Sequence, residues 1–533
     1  MSQANRSRLA IEQAIAALRA GDRIDAERTL RMRLAEAPDD ANVIGKLAEF
    51  AVEDRRFEEA TILLRRAVVA EPTPQRRMAL LHHLAIYVGP AVALKEIEDL
   101  PPALRTTFDV RTLEAAQLGT LGMHDRQIAI YADLAQEATG NPSLWKTLGD
   151  ALKTVGRTDE AVAALRKAIE ARPAYGEAYW TLSNFKSFQF TDRDVSAMKK
   201  ALRGKLSDED ALHFHFALGK AFEDREAYPQ SFKHYSEGNR IRAASFKLEQ
   251  MFATRYVDQA IATYTQPLLD HYQGAGCKGQ GPIFVLGLHR SGSTLVEQIL
   301  ASHPLIEGTT EITVMQQIWD RIGRIAQSKG RGTFQEIAEL SPADLEAIGA
   351  EYLERTKPFR LTDKPYFVDK LPANWMNLGL ILLALPNAKI IDSRRHPMAC
   401  GFSNFKQNYA SGIAFSYSQE SIGTFYRDYW RFMAHINKVR PGAVHRVLNE
   451  GLIEDPEGEV RKMLDYIGVE FDPACLDFHK NKRAVRTPSA EQVRRPINRD
   501  GVDYWRHYEA WLGPMKQAMG PALEYWDYTP PTE

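Results

Sequence analysis

One pattern of small and apolar residues occurs twice in the first third of the chain, and it leaves little freedom of fold. Leu47, Ala48, Ala51, Ala60, Leu64, Ala67 and Pro72 recur as Leu148, Gly149, Leu152, Ala161, Leu165, Ala168 and Pro173 with every interval kept. Apolar positions three and four apart line one face of a helix, and the break between the Ala51 and Ala60 groups makes two helices per copy. Alanine or glycine at fixed points lets the two helices cross closely, and the proline ends the second. Moved back 34 places, Ala60, Leu64 and Pro72 become Ala26, Leu30 and Pro38; moved forward 34, Trp145 and Leu148 become Tyr179 and Leu182. A further copy reads Leu218-Gly219, Phe222, Ser231, Tyr235. Ala60 and Ala161 are 101 residues apart, one short of three such periods, so two degenerate copies are predicted between them. Coincidental helical hairpins are the plain alternative, and recurrence at so many fixed intervals weighs against them.

The frame resembles the tetratricopeptide repeat, in which each helix pair buries its apolar face on the next pair. The resemblance implies an α-solenoid over about residues 7–240, within a repeat domain assigned to residues 1–275. A concave solenoid face suits a protein or peptide, here a partner or an acceptor, although solenoids also serve as spacers or oligomerisation elements.

With 533 residues the chain exceeds the roughly 250 to 300 at which single cores stop growing, so two domains are expected. A formal charge of -1 and a pI near 6.9 give no global attraction to nucleic acid or to an anionic membrane. Cys277, Cys400 and Cys475 are too few and too scattered for a disulfide framework or a zinc site. Glu12 and Arg19 interrupt the first apolar stretch, and no later segment reaches the roughly 18 uncharged apolar residues of a membrane span. A cytoplasmic protein is expected on these grounds.

Four glycines in Gln273-Gly274-Ala275-Gly276-Cys277-Lys278-Gly279-Gln280-Gly281 read as a linker. A second domain, residues 280–533, then alternates short apolar strands (282–287, 366–369, 388–392, 444–448) with helices, the pattern of a parallel sheet covered on both faces. Its first strand, Ile283 to Leu286, runs into a glycine-bounded loop carrying Arg290, Ser291, Ser293 and Thr294, and helical spacing begins at Leu295. Strand, loop and helix start aim backbone N–H groups at one spot, where phosphate or sulfate should bind. Gly287 and Gly292 have the spacing of G-x-x-x-x-G-K-[ST], but Ser293 stands where a nucleoside triphosphatase needs lysine. An ordinary tight turn and a P-loop kinase or nucleotidase stay open at this point.

A second basic group lies at another strand end, in Ser393-Arg394-Arg395-His396-Pro397, with Ser403 eight places after Arg395. Together the two groups resemble the sulfotransferase family. Its signatures are a [KR]-S-G-T-T loop for the 5′-phosphosulfate of 3′-phosphoadenosine 5′-phosphosulfate and an Arg-(x)7-Ser pair for the 3′-phosphate; they match Arg290-Ser291-Gly292-Ser293-Thr294 and Arg395 with Ser403. The resemblance covers about residues 280–515 and is strongest to the tyrosylprotein sulfotransferase branch, among bacterial proteins that join tetratricopeptide repeats to this P-loop-like fold. It implies a general base at Glu311, eight residues after His303 of His303-Pro304, and a catalytic lysine at Lys370 in Lys370-Leu371-Pro372. It also implies nucleotide contacts from Ser489, Gln492, Val493, Arg495 and Pro496, while Asn449 replaces the tyrosine of a Y-E-x-L element and so lacks its aromatic contact.

These residue types suit sulfuryl transfer. A carboxylate can take the acceptor's proton, while Arg290 and Lys370 can neutralise charge on the departing phosphate oxygen, with no metal required. Asp392, His289 and His303 read as structural residues. Tyrosine, a sugar hydroxyl and a small metabolite all remain open as acceptors. A non-catalytic scaffold with a degenerate nucleotide domain, suggested by Asn449, is the reading from another class.

Overall fold

Helix pairs form where the repeated frame predicts them. Ala41–Glu53 is followed by Phe57–Ala70, and Pro142–Thr154 by Thr158–Ala171. Asp40 caps the first of these helices and Asn141 the third, their side chains accepting the orphan N–H groups of Val43 and of Ser143 and Leu144. A Cβ placed on Gly149 would come within 2.9 Å of Leu165 Cγ, which is why the repeat carries a small residue there. Two less regular pairs lie between: Pro74–His83 runs on as the π-helical Leu84–Val88 before Pro90–Glu98, and Phe108–Thr120 pairs with His124–Glu137. The computed structural model describes all residues except 1–2, 55, 186, 248–252, 310, 410–412, 482, 484–491 and 528–533.

By packing, the chain divides into Met1–Ala171 and Arg172–Glu533. The first unit has separate small cores, as a solenoid should: Ala14, Leu30, Leu47, Phe50 and Ala60 form one, and Leu81, Ile97, Leu100 and Val110 another. In the second unit the helices α1 (Asp208–Glu223) and α2 (Tyr228–Ala243) share a core with the sheet. Trp180, Leu212, Phe216 and Tyr235 cluster with Phe284, Leu286 and Ile390 there, so the glycine-rich stretch at 273–281 lies inside this unit.

The sheet has five parallel strands, β1 (Pro282–Gly287), β2 (Ile306–Gly308), β3 (Tyr366–Lys370), β4 (Lys389–Arg394) and β5 (Val444–Leu448), in the order β2-β3-β1-β4-β5. Side chains alternate along β1, so Ile283 and Val285 join one buried cluster while Phe284 and Leu286 join the other. Burial on both faces explains why the strand reads as a continuous apolar run. The helices beside the sheet include α3 (Ser293–Ala301), α4 (Pro397–Phe405) and α5 (Gln419–Val439). From β1 the chain fills one side of the sheet and then crosses to β4 on the other, placing the switch point at the C-terminal end of β1.

The sequence pattern misses β2, whose three residues include Glu307 and Gly308 and which exists through edge pairing with β3. Near the end of the chain a 3-10 stretch, Tyr504–Trp511, gives way to a helix that starts at Gly513-Pro514. No described helix is long and apolar enough to cross a membrane.

Candidate active site at the carboxyl ends of the strands

The loop after β1 is shaped by its neighbours. A Cβ on Gly287 would lie 2.3 Å from the carbonyl oxygen of Ser393, so only glycine lets β4 approach this closely. Arg290 holds φ 69°, a left-handed conformation that L-residues other than Asn and Asp rarely adopt, and Gly292 follows at φ 103°. The chain then enters α3, with Ser291, Ser293 and Thr294 buried at the turn.

Helix α4 braces this loop from the side. Asn404 Nδ2 donates to the carbonyl of His289 at 2.7 Å, and Cys400 Sγ approaches the same oxygen at 3.3 Å. Arg290 Nε donates to Ser403 Oγ at 2.9 Å, and Arg395 Nη1 donates to the Arg290 carbonyl at 3.4 Å. Arg395 also bonds the Gly501 carbonyl, while its Nε is buried and, among the described residues, has no partner. Its neighbour Arg394 is spent elsewhere, on Asp392 at 2.6 Å and the Trp526 carbonyl at 2.7 Å. Asp392 in turn accepts from Tyr429, a structural assignment for that acid.

At the other end of the loop Lys370, the last residue of β3, donates to Glu311 Oε1 at 2.5 Å. The Lys370 side chain is 3% exposed and that of Glu311 47%, so the carboxylate faces outward from a buried ammonium. Glu297 of α3 lies behind, with Oε2 at 3.8 Å from the same ammonium. His289 is influenced by Glu311, Lys370 and Arg290 together; burial pulls its pKa down to about 4, so it is neutral at physiological pH. His303 is structural, its ring held between the Glu470 carbonyl and the Leu305 N–H. Arg290, Ser291, Gly292, Ser293, Thr294, Glu311, Lys370, Arg395 and Ser403 therefore all lie around the carboxyl ends of β1, β3 and β4.

Residues 282–473 match the family model described as "Sulfotransferase family", and residues 143–175 match "Tetratricopeptide repeat". The second unit carries a sulfotransferase-family domain. An uncharacterized protein of Aquifex aeolicus (strain VF5) is 28% identical over 399 residues, which take in 73% of this chain and 52% of that protein; the chain thus spans about half the length of this relative. A Caenorhabditis briggsae protein named "Putative protein-tyrosine sulfotransferase" is 27% identical over 232 residues, 42% of this chain and 80% of that protein. Among solved structures, the sulfotransferase domain from the Synechococcus PCC 7002 olefin synthase is 24% identical and covers 48% of this chain and 97% of its own, with a TM-score of 0.34. The tetratricopeptide protein YrrB covers 32% and 88% at 17% identity, with a TM-score of 0.27.

The late segment of the sulfotransferase domain meets the site in part. Val493 is buried against Leu295, the residue after Thr294, whereas Gln492, Arg495 and Pro496 are exposed. Ser489 lies outside the described residues. Arg494, which the sequence pattern passes over, is the half-buried arginine of this turn, and burial lowers its pKa. Asn449 sits over the loop: a Cβ on Gly292 would fall 2.5 Å from Asn449 Nδ2. Glu297 and Arg483 are also missed, although a glutamate in a helix as apolar as Leu295-Val296-Glu297-Gln298-Ile299-Leu300 is itself a signal, because a buried acid needs a partner.

Among the described residues no three His, Cys, Asp or Glu side chains group as metal ligands. A cleft of about 720 Å³ lined by Gln280, Pro282, Tyr366, Lys389 and Ala443 lies at the amino ends of the strands, the pole opposite the loop after β1.

Proposed function

We propose that this chain moves a sulfuryl group from 3′-phosphoadenosine 5′-phosphosulfate to a hydroxyl group, and that the hydroxyl is a tyrosine of a protein or peptide. The observation that carries the reading is the convergence of two motifs more than a hundred residues apart: Arg395 reaches the Arg290 carbonyl, and Arg290 bonds Ser403. One doubly phosphorylated adenosine can touch both. The donor also fits the buried Nε of Arg395, which has no partner among the described residues.

When bound, the donor supplies an activated sulfuryl group whose departure leaves negative charge on a phosphate oxygen. Arg395 and Ser403 hold the 3′-phosphate, and the loop amides with Ser293 and Thr294 hold the 5′ end. Lys370 and Arg290 neutralise charge at the departing oxygen, and Glu311, on the exposed side of Lys370, removes the acceptor's proton. Ser293 in the P-loop lysine position speaks against nucleoside triphosphate hydrolysis. The tyrosine acceptor is supported by the name of the Caenorhabditis briggsae relative and by a repeat array suited to holding a polypeptide.

The test combines purified protein, donor labelled in its sulfate, and a copolymer of glutamate and tyrosine. Label recovered as tyrosine O-sulfate supports the proposal. Label absent from the copolymer but present on sugars or small metabolites of a lysate would remove the tyrosine assignment, and consumption of ATP with magnesium in place of the donor would remove the whole reading.

A further inference from the structure

Glu297 is the one acid of α3, and its side chain is only 4% exposed. Leaving a carboxylate in such a place costs several kcal/mol unless cations meet it. Two do: Arg483 Nη2 donates to Oε1 at 2.5 Å, and Lys370 Nζ lies 3.8 Å from Oε2. Arg483 also donates to the carbonyl of Thr309, and Thr309 Oγ donates to the carbonyl of Val368 at 2.6 Å. Glu311 follows Thr309 by two places and Lys370 follows Val368 by two. The contacts thus close a ring from α3 through Arg483 to the segment bearing Glu311, across to β3, and back through Lys370.

The ring matters because Lys370 and Glu311 hold each other at 2.5 Å. Once Glu311 takes a proton its negative charge is lost, and the ammonium then needs a second anion to keep its place. Glu297 is fixed on a helix continuous with the anion-binding loop and can provide it. We infer that Glu297 is a positioning residue for sulfuryl transfer, anchoring Lys370 directly and the Glu311 segment through Arg483 and Thr309. The inference rests on the proposed function.

It is tested with Glu297→Gln and Glu297→Asp in the full chain, using labelled donor and the glutamate–tyrosine copolymer. The expected result for Glu297→Gln is a kcat lower by on the order of 10²-fold with little change in KM for the donor, since misplacement by about 1 Å costs that much, and a partial return in Glu297→Asp. In a Lys370→Met background the same change should cost clearly less, because the part of its effect that passes through Lys370 is already gone and only the Arg483 route remains. A wild-type kcat in Glu297→Gln, or an equal loss in both backgrounds, overturns the inference. Should Glu297→Gln fail to fold, Arg483→Met opens the same ring from its outer side and should lower kcat without raising KM; full activity there overturns it equally. If the wild-type chain labels nothing, the proposed function fails, and crystal structures of the variants decide the anchoring by themselves. Displacement of the Lys370 ammonium in Glu297→Gln by more than ~0.5 Å, restored in Glu297→Asp, supports it, and an unmoved ammonium refutes it.

Discussion

Arg290 and Ser403 are joined by a 2.9 Å hydrogen bond that ties the loop after β1 to the helix after β4. The bond fixes a strained arginine, held at φ 69°, with its guanidinium turned toward α4. Preorganisation of this kind moves an ordering cost from the binding step to the folding step.

Arg395→Ala should weaken binding of adenosine 3′,5′-bisphosphate roughly 10- to 100-fold, the loss of a charge-assisted hydrogen bond of about 1.5–3 kcal/mol. Isothermal calorimetry measures it directly. Arg394→Ala should act differently, by lowering stability, because it leaves Asp392 buried without its cation.

Glu311→Gln should reduce kcat by about 10²- to 10⁴-fold while leaving the affinity for adenosine 3′,5′-bisphosphate close to wild type. The side chain is largely exposed and its ion pair is with Lys370, so the fold should tolerate the change. Turnover at the wild-type rate would remove Glu311 as the base.

Gly292→Ala combines a left-handed φ of 103° with a Cβ 2.5 Å from Asn449 Nδ2. A loss of roughly 1–3 kcal/mol in stability is expected, read by denaturant unfolding. Adding Asn449→Ala removes the collision but not the backbone strain, so recovery should be partial.

Asp369 is buried beside Lys370 and accepts a hydrogen bond from Tyr352 at 2.7 Å. Burial pushes its carboxyl up to about 7, partly opposed by the Tyr352 bond and by Lys370. Its folded value is therefore above its unfolded one, near 3.9. The stability it contributes is complete below about pH 4 and is lost as pH rises through about 7. Asp369→Asn should flatten this fall, seen as a smaller drop in melting temperature between about pH 5 and about pH 8 than wild type shows.

How much of this could be read from the chain beforehand varies with the kind of signal. β1 and β4 announce themselves as short apolar runs, and the repeat pairs do so by recurrence at fixed intervals. β2 does not, because three residues with one glutamate carry no periodicity and pairing with β3 alone makes them a strand. The grouping of Arg290, Arg395 and Ser403 is legible because the motifs fall at strand ends, and a parallel sheet gathers its strand ends on one edge. Glu297 and Arg483 are not legible in that way: nearly two hundred residues separate them, and the need for a partner emerges only once α3 is known to be enclosed. Arg494 and Arg495 show the same limit on a smaller scale, since choosing between adjacent arginines requires the orientation of the turn.

The core that joins Trp180, Leu212, Phe216 and Tyr235 to the sheet has a practical consequence for anyone cutting this gene into pieces. An expression fragment begun at the glycine-rich stretch would leave those apolar plugs behind and expose a greasy flank prone to aggregation. One begun near Arg172 keeps the flank sealed, and should be the shortest piece that stays in solution.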